Sequence, residues 1–169
     1  STVGKGSRFW FRIRVERAAD RPSKTQMRRG PLSTISLDVP SAKALVVEDN
    51  ATNRKVVKAF LEKLGVSVET ATNGREALQI IQTGQQYDFV LMDCQMPVMD
   101  GLEATRRIRA WEHGAMDREP LPIIALTASA FESDKQKCLA SGMSDYLAKP
   151  IDYVKLRERL GKWCPSLSS

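Results

Sequence analysis

Four short apolar runs in the 169-residue chain end in residues able to do chemistry. Ala44-Leu45-Val46-Val47 ends in Glu48-Asp49, and Phe89-Val90-Leu91-Met92 ends in Asp93. Pro122-Ile123-Ile124-Ala125-Leu126 ends in Thr127, and Asp145-Tyr146-Leu147-Ala148 ends in Lys149-Pro150. Three carboxylates brought together repel one another and raise each other's pKa. A divalent cation relieves that conflict. An all-oxygen set without His or Cys favours a hard ion. Mg²⁺ takes one or two carboxylates and keeps places for water and phosphate oxygens. An ammonium and a hydroxyl beside such a set make a phosphoryl site, where positioning and charge neutralisation matter most. A carboxylate there can itself be the nucleophile and carry an aspartyl phosphate.

These residues meet only if the runs are neighbouring parallel strands. The sequence between them has helical spacing. Val57, Phe60, Leu61 and Leu64 share one face, and Gly65 stops that helix. Val66–Thr70 alternates as a further strand. Asn73 with Glu76 opens the next helix, which carries Ala77, Leu78 and Ile81. Asp100 with Glu103 caps a third helix, ending near Trp111, and Ser129 with Glu132 caps a fourth, stopped near Gly142. Asp152 opens the last, with Val154, Leu156 and Leu160 as apolar positions. Strands buried on both faces, alternating with helices, predict a doubly wound α/β fold. The expectation is a flavodoxin-like (βα)5 sheet of order 2-1-3-4-5, with an N-terminal extension and its site at the strands' carboxyl ends.

Composition narrows the class. The chain is 42% hydrophobic and 27% charged, which excludes collagen-like, mucin-like and disordered chains. No run approaches the roughly 18–20 apolar residues of a membrane-spanning helix. Cys94, Cys138 and Cys164 are odd in number and widely spaced, which points to a reducing cytosol. The net charge of +6 is uneven. Residues 1–41 hold nine Lys+Arg and three Asp+Glu, whereas residues 42–169 hold seventeen of each. The excess therefore lies outside the expected fold.

At this level the sequence resembles a response-regulator receiver domain over residues 42–163. The matching stretches are Val46-Val47-Glu48-Asp49-Asn50 and Leu91-Met92-Asp93-Cys94-Gln95-Met96-Pro97-Val98-Met99-Asp100-Gly101. Ala125-Leu126-Thr127-Ala128 and Tyr146-Leu147-Ala148-Lys149-Pro150 complete them. The resemblance implies that Asp93 accepts a phosphoryl group from a phosphohistidine. It implies that Asp49, Asp93 and the backbone carbonyl of Gln95 hold Mg²⁺, with Glu48 acting through water. Lys149 would pair with the phosphoryl oxygens, aimed by a cis bond to Pro150. Thr127 would move to bond the phosphoryl group, and Tyr146 would follow it inward as a switch. Phosphorylation would shift the face bearing the fourth helix and fifth strand.

The segment Gly4-Lys5-Gly6-Ser7-Arg8-Phe9-Trp10-Phe11 resembles the last glycine box and final strand of a histidine-kinase ATP-binding domain. The expected organisation is a kinase remnant over 1–20, a linker over 21–41, a receiver domain over 42–163 and a tail over 164–169. The parent would be a hybrid sensor histidine kinase anchored at the inner face of a bacterial plasma membrane, with this part cytoplasmic and outside the bilayer. This part lacks a kinase core and would only gain and lose its own phosphoryl group. Its partners would be a histidine-phosphotransfer protein and the kinase dimerisation/histidine domain of the same parent. Val56 and Ala59 lie beside the first helix's core face, near the mouth bearing Asn50 and Asn53. They are expected to form an apolar docking patch for a phosphohistidine helix.

Other readings fit less well. Haloacid-dehalogenase-like phosphatases place a second Asp two residues after the nucleophile, where this chain has Gln95. The basic first segment has no recognisable helix for reading nucleic acid, so no nucleic-acid partner is expected. A mouth full of carboxylates would repel a flavin phosphate. His113 reads as structural or exposed, Cys94 as a small loop residue and Gly101 as a relaxed loop position. Met92, Met96 and Met99 read as packing.

Overall fold

In a computed structural model of the chain, residues 42–115, 119–129 and 131–167 are described. The expected kinase remnant and linker lie outside the described residues. Strands and helices alternate throughout: β1 (Ala42–Val47), α1 (Ala51–Lys63), β2 (Val66–Ala71), α2 (Gly74–Gln82) and β3 (Phe89–Asp93). They continue as α3 (Gly101–Ala115), β4 (Ile123–Thr127), α4 (Glu132–Ala140), β5 (Asp145–Ala148) and α5 (Tyr153–Trp163), followed by a 3₁₀ turn at Pro165–Leu167.

All strand pairs are parallel and the order is β2-β1-β3-β4-β5, the flavodoxin-like arrangement. Alternation along each strand divides the core into two layers. Leu45, Val47, Val90, Met92, Ile123 and Ala125 face Ala77, Ile81, Ala104, Ile108 and Cys138 of α2, α3 and α4. Ala44, Val46, Phe89, Leu91, Ile124 and Leu126 face Val57 and Leu61 of α1 and Leu156 and Leu160 of α5. Every residue of β3 and β4 is buried, so those runs are apolar without alternation. Each fully buried Leu here contributes about 1.5–3 kcal/mol of burial free energy.

Local sequence sets most helix ends. Asn50 caps α1 by accepting from the N–H groups of Thr52 and Asn53, and Asp152 caps α5 through Val154 and Lys155. Asn73 accepts from the Glu76 N–H, while Glu76 reaches back to the Thr72 N–H at 2.7 Å. Asp100 accepts from the Glu103 N–H at 2.8 Å. Gly65 closes α1 at φ 77°, a backbone region open to glycine at little cost.

Two boundaries differ from the sequence expectation. The third helix runs to Ala115, beyond Trp111. Glu112 explains this, because its carboxylate takes the Arg109 guanidinium at 2.6 Å and the Leu121 N–H at 2.9 Å. Those bonds hold the last turn against the strand entry, and His113 there is exposed. Ser129 does not cap α4. The helix starts at Glu132 from Phe131, which makes no side-chain cap bond. The Ser129 backbone is tied to Thr127 in a tight local turn, and its hydroxyl accepts from the Phe131 N–H instead. Cys138 is the one buried residue of α4, so this helix is held by little. Among the described residues, no helix is long and apolar enough to cross a membrane.

Candidate functional site

Strand register brings the chemistry to one edge. Val47 pairs with Met92, which sets Glu48 beside Asp93. The Cys94 N–H bonds the Leu126 carbonyl, and the Lys149 N–H bonds the Thr127 carbonyl at 2.7 Å. Thr127 and Lys149 thus end up on the same side as the carboxylates. One oxygen from each of Glu48, Asp49 and Asp93 lies within 4.8 Å of the others. Glu48 and Asp93 are buried, at 1% and 4% exposure, while Asp49 is open to solvent.

The Lys149 ammonium bridges the two buried acids, with Nζ 2.7 Å from Glu48 Oε2 and 2.8 Å from Asp93 Oδ2. The Lys149–Pro150 bond is cis. Glu48 Oε1 accepts from Asn53 Nδ2 at 3.1 Å and from the Asn50 N–H at 3.3 Å. Asp93 Oδ1 accepts from the Gln95 N–H at 3.2 Å. Burial pushes the Asp93 carboxyl above its usual range, and the Glu48 charge adds to that, against the bonds from Lys149 and Gln95. Burial opposes the Lys149 charge, but the bonds from Asp93 and Glu48 outweigh it and hold the ammonium above the ordinary lysine range. The three acids supply oxygen donors alone, which fits a hard divalent cation.

The other predicted residues take varied places. Thr127 is buried, and its hydroxyl donates to the Ser129 carbonyl at 3.1 Å. Tyr146 is half-buried with its ring between cations of two helices, 5.1 Å from Lys135 Nζ and 5.4 Å from the Arg159 guanidinium carbon. Val56 is 42% exposed and Ala59 is exposed. Val56 lines a cleft of about 420 Å³ with Asn53, Ala128, Lys149, Pro150 and Ile151. The side chains of Asn50 and Asn53 already serve as helix cap and Glu48 partner.

Further features escaped the sequence reading or correct it. Arg54 donates to the carbonyls of Glu48 at 2.6 Å and Asp49 at 3.1 Å, fastening the acidic turn to α1. Gly101, expected as a relaxed loop position, instead opens α3 and is required by close approach, since a Cβ there would collide with the Asp93 carbonyl oxygen and lie 2.9 Å from Met92 Cγ. Cys94 Sγ lies 3.5 Å from Cys138 Sγ, and burial with that neighbour pushes the Cys94 thiol up. A spacing of 44 residues carries no signal of that contact. In the same loop Val98 holds φ 72°, a strained region for a β-branched residue.

Residues 44–161 match the response regulator receiver domain family, and the chain belongs to that family. It is 42% identical over 148 residues to the sensor histidine kinase GacS of Pseudomonas protegens, covering 86% of this chain and 15% of that protein. It is 37% identical over 158 residues to hybrid signal transduction histidine kinase K of Dictyostelium discoideum, covering 92% of this chain and 13% of that protein. The chain therefore spans about 13–15% of the length of these curated relatives.

Two solved structures are similar. One is the receiver domain of the Saccharomyces cerevisiae response regulator Ssk1, in complex with the histidine phosphotransfer signaling protein Ypd1. Its TM-score is 0.68 at 36% identity, covering 75% of this chain and 91% of that one. The other is the receiver domain of a sensor histidine kinase from Pseudomonas aeruginosa, with a magnesium ion coordinated in its active site cleft. Its TM-score is 0.64 at 44% identity, covering 76% of this chain and 98% of that one.

Proposed function

We propose that this receiver domain works in a phosphorelay, with Asp93 accepting the phosphoryl group of a phosphohistidine and passing it to a histidine-phosphotransfer protein. The observation that carries this reading is Asp93 itself. It is a buried carboxylate bonded to Lys149 and set beside Glu48 and Asp49 at the edge of a parallel sheet.

Asp49, Asp93 and Gln95 would hold Mg²⁺, with Glu48 close by, as the acid cluster and the magnesium-bearing relative support. When bound, the ion offsets negative charge on the acids and on the incoming phosphate. An Asp93 oxygen attacks phosphorus, the P–N bond to the donor imidazole breaks, and an acyl phosphate forms. Lys149 stays within reach of that oxygen and neutralises charge on the phosphoryl group. Thr127 exchanges its bond to Ser129 for one to the phosphoryl oxygens. Tyr146, held between Lys135 and Arg159, then follows as α4 and β5 shift.

Val56 and Ala59 on α1 form the apolar edge that a phosphohistidine helix covers, with Asn50 and Asn53 at its rim. The Ssk1–Ypd1 complex supports a partner of this kind. The donor is the histidine domain of a longer, membrane-anchored hybrid kinase facing the cytoplasm. The test uses a phosphorylated histidine-phosphotransfer protein as donor and follows label onto the chain. Val56→Asp should lose transfer from the protein but keep uptake from acetyl phosphate. Loss of neither would overturn the docking assignment, and no label on wild type would overturn the relay reading.

A further inference from the structure

The phosphoryl site makes no use of the contact between Cys94 and Cys138. Cys94 follows Asp93 directly, at the end of β3. Cys138 is the one buried residue of α4. Neither is in a disulfide, and their sulfurs stand 3.5 Å apart. A disulfide requires about 2.05 Å, so closure needs a movement of about 1.5 Å. The helix that would move has no side-chain cap and one buried anchor, which makes it the element most able to yield. Small oxidants have a route. A cavity of about 190 Å³ is lined by both cysteines together with Gln95, Thr127, Ser129 and Asp134.

We propose that Cys94 and Cys138 form an oxidisable dithiol whose disulfide clamps α4 to the acceptor strand. The oxidant class is a hydroperoxide, with hydrogen peroxide as the simplest. Cys94 is the less buried of the two. Its sulfur attacks the peroxide as its proton leaves, giving a sulfenic acid and one water, slowly because burial keeps the thiol protonated. Cys138 sulfur then displaces the hydroxyl, giving the disulfide and a second water. The two thiols lose two hydrogens and two electrons, and the peroxide gains them.

The clamp has a consequence that rests on the phosphorelay reading. Thr127 and Ser129 line the same cavity as the two cysteines, so drawing α4 toward Cys94 narrows the space the Thr127 hydroxyl needs. The oxidised protein should therefore take up phosphoryl groups several-fold more slowly than the reduced one. Cys164 is an internal control, since it packs in the opposite core layer.

The test treats the full chain with hydrogen peroxide, blocks remaining thiols and maps an unreduced proteolytic digest. The result expected is a Cys94–Cys138 linked peptide within one chain, a mass loss of two hydrogens and one blocked thiol at Cys164. A digest with no such link, links only to Cys164 or between chains, or oxygen adducts alone would overturn the dithiol. The same samples are then given acetyl phosphate and Mg²⁺, with and without dithiothreitol. Slower uptake that dithiothreitol restores supports the clamp. Linked protein with unchanged uptake overturns it. Cys94→Ser, at the more exposed position, should keep normal uptake and lose sensitivity to peroxide. No uptake by the reduced protein would sink the phosphorelay reading and leave the mapped link to decide the dithiol.

Discussion

Lys149 Nζ sits 2.8 Å from Asp93 Oδ2, a contact between residues 56 positions apart that joins the last strand to the third. The same nitrogen reaches Glu48 at 2.7 Å. One ammonium thus bridges two buried carboxylates and offsets half of their charge. Lys149→Ala removes that bridge and leaves the acids facing each other. Stability without Mg²⁺ should fall by about 1–3 kcal/mol, as for a buried charge left without its partner. Mg²⁺ should recover part of the loss, because it binds the folded acids. Phosphoryl uptake should drop about 100-fold, the scale of losing one charge-stabilising donor. Thermal melts with and without Mg²⁺, beside uptake rates, check both.

Gly101 acts through shape rather than charge. A methyl at this position meets the Asp93 carbonyl and the Met92 side chain. The backbone carbonyl cannot move without disturbing β3. Gly101→Ala should cost about 1–3 kcal/mol in a urea titration. Phosphoryl uptake should fall with it, because the displaced atoms carry Asp93.

The acidic limb of stability should depend on Asp145. Burial works against its charge. Bonds from Trp163 and the Tyr146 N–H, with Arg159 and Lys162 close by, outweigh that and hold its carboxyl below the usual range. A depressed carboxyl contributes stability that is complete above its unfolded pKa and is lost as pH falls through the folded one. Asp145→Asn should therefore cost about 1–3 kcal/mol at pH 7. The gap from wild type should narrow as pH drops below about 4, the unfolded aspartate range. Denaturant titrations at pH 7 and pH 3 measure that narrowing.

What was legible in the sequence follows from local rules. Apolar runs such as Val90-Leu91-Met92 must be buried on both faces, which demands a parallel sheet. A parallel sheet sends the residue after each run to one edge, and so Glu48, Asp93, Thr127 and Lys149 gather there. Side-chain contacts between distant elements obey no such rule. Nothing in the spacing shows that Cys138 lies against Cys94, or that Gly101 touches the Asp93 carbonyl. Arg54 clamps the acidic turn through backbone carbonyls, which leave no mark in residue type. Ser129 looked like a cap because its type and spacing fit one. Its backbone is instead drawn into the Thr127 turn, and α4 begins beyond its reach.

Intact mass tests most directly whether Asp93 is the phosphoryl acceptor. The full chain is incubated with acetyl phosphate and Mg²⁺, beside Asp93→Asn under the same conditions. Wild type should gain the mass of one phosphoryl group, lose it again on treatment with hydroxylamine, and gain nothing when Mg²⁺ is chelated. The variant should show no gain. A phosphoryl group that still appears on Asp93→Asn, or a wild type that never acquires one, would rule out Asp93 as the acceptor.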